Sequence, residues 1–387
     1  MGANNSSAKK ETLVNLTRDQ ISSFNGIVRK RTAGSTLSYE DLKFLLPHWG
    51  SFSKVAYDNV TLGKKEKLPI AALLRFADLL EGIATEQAEA LQILFGDRAR
   101  AALVECSLHT LDVSAEEAAP LRDILVSDPT PSLSSLLTSN RVASQLVHLP
   151  FAHLLGETKT FVPTLYGRST LLSRVSQVVL RAHLPVEFRD SWQLLFSSNE
   201  HGASFSQLSQ RIDGQGPCLV VVRSSTGRVF GCFASQGFTT GPTYTGDSLC
   251  FLFTLTPTLR VFEPTGFNSK YCYLNYQQDT LPNGLGIGGA GDTWPFFICE
   301  DYGKGLSCSH SSSFEKCHLA GEDVWMMHTT EVWRVCAKSP TVANKGKSIL
   351  DKDPQAQALL ELAGKRMHSD GFREPAPILS TPENEAE

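Results

Sequence analysis

Two stretches of this chain bring together side chains capable of chemistry. In "LFSSNEHGASFSQL", Ser197, Ser198 and Ser204 lie close to His201. A hydroxyl beside an imidazole is the starting material of nucleophilic catalysis, but activation needs a hydrogen-bonded geometry that sequence proximity does not supply. The stretch contains no G-x-S-x-G elbow. The plainer reading is a turn feeding a helix, with Ser204 as its N-cap. The second stretch, "GLGIGGAGDTWPFFICEDYGKGLSCSHSSSFEKCH", runs from Gly284 to His318. It holds Cys299, Cys308, His310, Cys317 and His318, soft ligands of the zinc type. It has no C-x-x-C, however, and adjacent Cys317 and His318 would point to opposite faces of a strand. Free thiols and polar loops are the better account, and no metal is expected. A thiol enzyme would need a Cys of depressed pKa in an electropositive, accessible place. The candidates are Cys308 near His310, and Cys317 between Lys316 and His318. The glycines do not read as a phosphate cradle, because a strand-like "TWPFFIC" follows them where a helix N-terminus is required.

The elements that must position these residues follow from composition and periodicity. The chain has 387 residues, 41% hydrophobic and 20% charged, with net charge -4. That length exceeds one usual core, so two domains are expected. No basic stripe interleaved with aromatics suggests nucleic acid. Nine Cys, an odd number, fit reduced thiols in a cytosolic setting. No run approaches the ~18 apolar residues of a membrane span. At the start, "MGANNS" fits M-G-x-x-x-[ST], so Gly2 is a candidate for myristoylation within a segment 1–10 that ends in Lys9 and Lys10. One acyl chain gives only marginal attachment, so residence on a membrane surface would need a second contact.

Residues 11–150 read as a helical region. Thr17 caps a helix with Ile21, Phe24, Ile27 and Val28 on one face, and Ser38 caps the next. This helix–loop–helix resembles an EF-hand. Aligning Leu37 with the apolar loop position puts Lys30, Thr32 and Gly34 where calcium carboxylates belong, so the unit reads as degenerate. Asp97 is expected to close the helix of "TEQAEALQILFGD". The texture loosens from Leu121 to about Leu149, where "SDPTPSLSSLLTSN" has a linker signature. "STLLSRVSQVVLRAHL" is helical again, with Leu172, Val175, Val178 and Val179 on one face. After Asp190 the pattern changes to short strands: "PCLVVVR" and "RVFGCFA" joined at Gly227, then "CFLFTL", "LRVFE", "YCYLN", "PFFICED" and "EVWRV". The fold class is α+β, with the strands forming a mostly antiparallel β-sandwich. Residues 337–352 read as a linker. In 353–364, Asp353 caps, Pro354 starts and Gly364 stops an amphipathic helix with Ala356, Leu359, Leu360 and Ala363 on one stripe. A polar tail, 365–387, follows.

The ordered segments "LLFSSNEHGASFSQL", "GPCLVVVRSSTGRVFGCFAS", "YTGDSLCFLFTLTP", "FEPTGFNSKYCYLN", "GLGIGGAGDTWPFFICEDYGKGLSCSHSSSFE" and "TEVWRV" together resemble the TLDc domain family, over about residues 161–336. The start, the EF-hand-like region and the tail "KSILDKDPQAQALLELAGKRMHSDGFRE" are most similar to the branch of that family tied to mTOR signalling. The resemblance implies a β-sandwich flanked by helices, with glycines allowing tight turns at a crowded sheet edge. Trp294, Phe296 and Phe297 would fill the sandwich, with Trp333 beside them. The chain departs from the family pattern at "DTWPFFICED", where a run like A-L-W-L-D is more usual, and Pro295 suggests an edge strand or bulge. The resemblance further implies a non-catalytic regulatory protein without cofactor, peripheral on the lysosomal membrane. Its partners would be the vacuolar-type proton ATPase and mTOR pathway components, contacted through the TLDc domain and the stripe Ala356, Leu359, Leu360 and Ala363. The alternative is protection against oxidative stress or thiol-dependent catalysis.

Overall fold

The computed structural model describes residues 13–63, 67–126, 128–156, 161–289 and 293–335. All of them belong to one compact unit bounded by Met1 and Ala337. Gly2, the linker 337–352, the stripe of Ala356, Leu359, Leu360 and Ala363, and the polar tail lie outside the described residues.

The first part is helical. Helix α1 (Arg18–Arg31) is started by a capping box in which the Thr17 hydroxyl accepts from the Gln20 N–H, and α2 (Tyr39–Leu45) by the same device at Ser38 and Asp41. Between them runs strand β1 (Thr36–Leu37), and a second helix–loop–helix repeats the plan with α3 (Phe52–Val60), β2 (Leu68–Pro69) and α4 (Ile70–Leu80). The two loops are bridged through β1 and β2, antiparallel, with Leu37 opposite Leu68. Phe24 and Val28 of α1 are buried, Ile21 and Ile27 half-buried, as the apolar stripe requires.

Helix α5 (Ala84–Phe95) ends at Gly96, whose φ of +56° makes it the terminator; the expected stop at Asp97 is one residue late. Then come α6 (Ala99–Leu111), α7 (Ala115–Val126), α8 (Leu133–Ser139), α9 (Arg141–Leu146) and α10 (Leu149–Ala152). The linker expected over Leu121–Leu149 is therefore largely helix. Ser132 and Asn140 act as caps, Ser132 accepting from the Ser135 N–H and Asn140 from the N–H groups of Val142 and Ala143. Leu136, Leu137, Val142, Ala143 and Leu146 are buried between them.

Strand β3 (Thr164–Tyr166) and helix α11 (Arg174–His183) lead into the sandwich, followed by β4 (Ser191–Ser197), α12 (Ser198–His201), α13 (Phe205–Ile212), β5 (Cys218–Ser224) and β6 (Val229–Ala234). The chain continues through β7 (Phe251–Thr256), β8 (Arg260–Phe262), β9 (Cys272–Asn275), β10 (Gly284–Ile287), β11 (Phe296–Cys299), β12 (Lys304–Leu306) and β13 (Val324–Arg334). The strand order is β8-β7-β6-β5-β13-β12-β11-β10-β9, with β4 also on β13 and β3 beside β4; among the described strand pairs β3–β4 is parallel and the others antiparallel. Strand β13 belongs to two layers. Its first residues, Val324–Met326, pair with β12, and the remainder, Met327–Arg334, with β5 and β4. A strand that switches layers in this way folds one continuous ladder into a sandwich.

Alternation along the strands sorts side chains into three apolar groups. The inter-sheet core holds Val220, Val222, Phe230, Leu285, Ile287, Phe296, Ile298, Trp325 and Val332. The opposite face of the first sheet, with Leu219, Val221, Phe233, Phe251, Phe253 and Trp333, shares one continuous core with α11 and the helical region from Leu16 onwards. A small cluster of Tyr273, Trp294 and Phe297 covers the outside of the second sheet. So Phe296 fills the sandwich as expected, but Trp294 and Phe297 lie outside it and Trp333 faces the helices. Neighbours on a strand point to opposite faces, which separates Phe296 from Phe297. Pro295 marks neither an edge nor a bulge: it precedes β11, which is paired on both sides.

Candidate functional site

The hydroxyl–imidazole set is held apart by backbone bonds. Strand β4 ends where α12 begins, and there the His201 Nδ1 accepts from the Ser197 N–H at 3.0 Å. Ser198 Oγ accepts from the Thr330 N–H at 3.1 Å, which ties α12 to β13. Ser204 caps α13 through the Gln207 N–H, as the sequence suggested. His201, Ser198 and Ser204 stabilise the connection from β4 through α12 to α13, and each is engaged with main chain.

The Cys and His residues of the second stretch are likewise dispersed. Cys308 Sγ donates to the His310 carbonyl at 3.0 Å, while the His310 ring bonds to Ser309 Oγ at 2.8 Å. Burial raises the pKa of Cys308, and burial pushes that of Cys317 up to about 12. Cys317 is buried and His318 exposed, with the ring 3.5 Å from Asp323 Oδ1. They do point in opposite directions, in a loop and not on a strand. Cys299 is also held protonated by burial. A thiolate nucleophile at Cys308 or Cys317, the arrangement a thiol enzyme would require, is therefore disfavoured where the sequence placed it. Among the described residues, no three His, Cys, Asp or Glu side chains are grouped to hold a metal.

In the helical region, Lys30 lies in the last turn of α1, with Thr32 and Gly34 in the loop that follows, and Thr32 Oγ1 accepts from the Gly34 N–H. Asp41 is bound by Ser38 and by Arg31 at 2.8 Å, and these contacts lower its pKa. A cation there would meet Lys30 and a carboxylate already occupied.

The glycines of the opening stretch make room for rings. A Cβ on Gly286 would lie 2.5 Å from the Phe297 ring and 2.6 Å from that of Trp294. One on Gly305 would lie 2.2 Å from Trp325 Cζ2. Gly286 is within β10 and Gly305 within β12, so close approach, and not turning, is their main demand. Gly288, with φ of +74°, does serve a turn.

The serines that follow hold one loop against another. The Thr265 N–H donates to the Ser313 carbonyl at 2.9 Å, Asn268 Nδ2 to Ser312 Oγ at 3.0 Å, and Ser313 Oγ to Asn268 Oδ1 at 2.9 Å. Phe267, at the tip of this braced loop, is 82% exposed. An aromatic ring kept in water on a fixed loop has the form of a contact for another macromolecule. A cleft of about 480 Å³ is lined by Thr110, Leu149, His153, Phe161 and Arg174, among others, and among the described residues no Cys, Asp or Glu lines it.

Two polar anchors escaped sequence reading. Glu331 is 1% exposed and accepts from Ser169 Oγ at 2.6 Å, from the Thr170 N–H at 2.7 Å and Oγ1 at 2.9 Å, and from Trp333 Nε1 at 3.0 Å. Asp78 accepts from the backbone N–H groups of Val14, Asn15 and Leu16, fixing the first described residues to α4. The only sequence signal for Glu331 was a lone carboxylate within the strand "TEVWRV".

A family model described as TLDc domain matches residues 165–336, the region that holds α11 to α13 and β3 to β13. This part of the chain is a TLDc domain. Among curated proteins the chain is similar to MTOR-associated protein MEAK7 of Gallus gallus, 40% identical over 259 residues, covering 63% of this chain and 54% of that protein. The same-named protein of Homo sapiens is 42% identical over 211 residues, 54% of this chain and 46% of that one. Oxidation resistance protein 1 of Xenopus tropicalis is 29% identical over 181 residues, 46% of this chain and 20% of that one. The chain spans about half the length of the MEAK7 relatives it matches.

Proposed function

We propose that a chain built around this TLDc domain is a non-catalytic regulatory protein of mTOR signalling that works by docking. Its partner is the vacuolar-type proton ATPase, and its place is the cytoplasmic surface of the lysosomal membrane. The observation that carries the reading is the loop holding Phe267: an exposed ring braced by Asn268, Ser312 and Ser313. The polar groups expected to do chemistry are instead spent on internal bonds. Similarity to proteins named MTOR-associated protein MEAK7 supports the signalling assignment.

Two further contacts complete the proposal. An acyl group on Gly2 gives weak membrane affinity, and the stripe of Ala356, Leu359, Leu360 and Ala363 docks into a groove of the pump. Weak tethers acting together raise effective concentration and convert marginal binding into residence. Affinity purification of the full chain from lysosomal membranes in mild detergent tests this. Pump subunits should co-purify and should be lost on Leu359→Asp with Leu360→Asp. Recovery of the chain without pump subunits would remove the assignment. Separately, Gly2→Ala should move the protein to the soluble fraction; an unchanged membrane share would remove the lipid tether.

A further inference from the structure

Four thiols meet in the core between the two sheets: Cys218 on β5, Cys232 on β6, Cys250 just before β7 and Cys272 on β9. The sulfurs of Cys250 and Cys272 are 3.7 Å apart, although 22 residues separate them in sequence. The turn around Gly246 brings them together. Thr245 and Cys272 exchange two backbone hydrogen bonds of 2.8 Å, and the Cys250 N–H donates to the Asp247 carbonyl at 3.1 Å. Gly246 has φ of +90°, and a Cβ on it would lie 3.0 Å from Cys272 Sγ and 3.1 Å from Cys250 Sγ. The two sulfurs thus pack over a position that only hydrogen can fill.

The pair is asymmetric. The Ser235 N–H donates to Cys250 Sγ at 3.4 Å, and Ser235 Oγ lies 3.2 Å away. The Asp247 N–H in turn donates to Ser235 Oγ at 3.3 Å. Negative charge on Cys250 is therefore met by donors. The Cys272 thiol is the foremost, and together with Ser235 they draw the Cys250 pKa down to about 7 despite burial. Cys272 is shifted the other way, by its bond to Cys250 and then by burial. One sulfur ready to ionise beside one that keeps its proton is the arrangement of an attacking and a resolving thiol.

We propose that Cys250 and Cys272 are a redox-active dithiol that hydrogen peroxide converts into an intramolecular disulfide. The Cys250 thiolate attacks a peroxide oxygen; an S–O bond forms, the O–O bond breaks, and the leaving hydroxide takes up a proton to become water. Cys272 sulfur then attacks Cys250 sulfur; the S–S bond forms, the S–O bond breaks, and the departing hydroxide carries off the Cys272 proton as a second water. Two thiols give up two electrons and the peroxide accepts them. The sulfurs must close from 3.7 Å to about 2.05 Å. Both are fully buried, while Leu249 beside Cys250 is 53% exposed. A small oxidant reaches them when the turn before β7 opens locally. The bond would join the first sheet to the second, and the inference does not depend on the docking role above.

The test uses the purified full chain, fully reduced, then treated with hydrogen peroxide. It is alkylated with N-ethylmaleimide in denaturant, digested without reductant and analysed by mass spectrometry. The expected result is a peptide containing Cys250 joined to one containing Cys272. Both residues should disappear together from the alkylated pool and return after dithiothreitol. In Cys272→Ala, Cys250 should be trapped by dimedone as a sulfenic acid. If Cys299 and Cys308 are oxidised while Cys250 and Cys272 stay fully alkylated, or if Cys250 pairs elsewhere, the proposal is overturned. The unmodified chain supplies the deciding measurement, so a variant that fails to fold does not obscure it.

Discussion

Glu331 and Trp333 stand two residues apart on β13, on the same face, and the indole Nε1–H donates to the carboxylate at 3.0 Å. The same carboxylate receives three more donors from Ser169 and Thr170, in the segment that leads into α11. One buried side chain thus joins the last strand, the helix packed on it and the core shared with the N-terminal helices. Glu331→Ala would leave the buried Trp333 Nε1–H without its partner and release the part-buried donors of Ser169 and Thr170. Stranding one buried donor costs about 1–3 kcal/mol, so a destabilisation of at least that order is expected. Thermal melts of the full chain measure it; a midpoint unchanged within about 1 °C would show that the anchor is dispensable.

Gly305 sits under the Trp325 ring, where a Cβ would be 2.2 Å from Cζ2. Gly305→Ala should overpack the inter-sheet core and cost at least about 1–3 kcal/mol. Gly241 has nothing within 4 Å of its ideal Cβ, so Gly241→Ala should change stability by no more than about 0.5 kcal/mol. Equal denaturant midpoints for the two variants would mean that the close approach to Trp325 carries no cost.

Two histidines make the fold sensitive to mild acid. His48 is held below its usual pKa by burial and then by His153 and His109; His183 by burial, against the pull of the Val179 carbonyl it bonds at 2.9 Å. A depressed pKa means that the unfolded chain binds protons more readily than the folded one. Stability from these groups is fully present above about pH 6.5 and is lost as pH falls through the folded values. Urea midpoints should therefore fall between pH 7 and pH 5, and less steeply in a His48→Asn, His183→Gln variant. A slope identical to that of the unmodified chain would assign the acid sensitivity to other groups.

Phe267 makes the docking reading local. Because the ring is 82% exposed, Phe267→Ser should leave stability within about 0.5 kcal/mol. Recovery of pump subunits in the affinity purification should nevertheless fall several-fold. Full recovery with an unchanged melt would take this loop out of the interface.

Local devices were legible in advance. Thr17, Ser38 and Ser204 cap the helices that follow them, and Gly227 turns the β5–β6 hairpin with φ of +84°. Each depends on neighbours within four residues. Leu121–Leu149 misled because serine, proline and asparagine favour linkers and helix starts alike, and burial of Leu136, Leu137 and Leu146 decided for helices. The thiols at Cys308 and Cys317 were singled out for the histidines beside them in sequence, whereas burial governs their ionisation.

The sequence by itself determined the helix caps at Thr17, Ser38 and Ser204, the strand-rich character of the second half and its TLDc pattern, since periodicity and capping act over a few residues. Only the tertiary structure decided that β13 serves two layers, that Trp333 faces helices while Phe296 faces the opposite sheet, and that Cys250 meets Cys272. Those outcomes depend on register between distant strands, and a shift of one residue there sends every side chain to the other face.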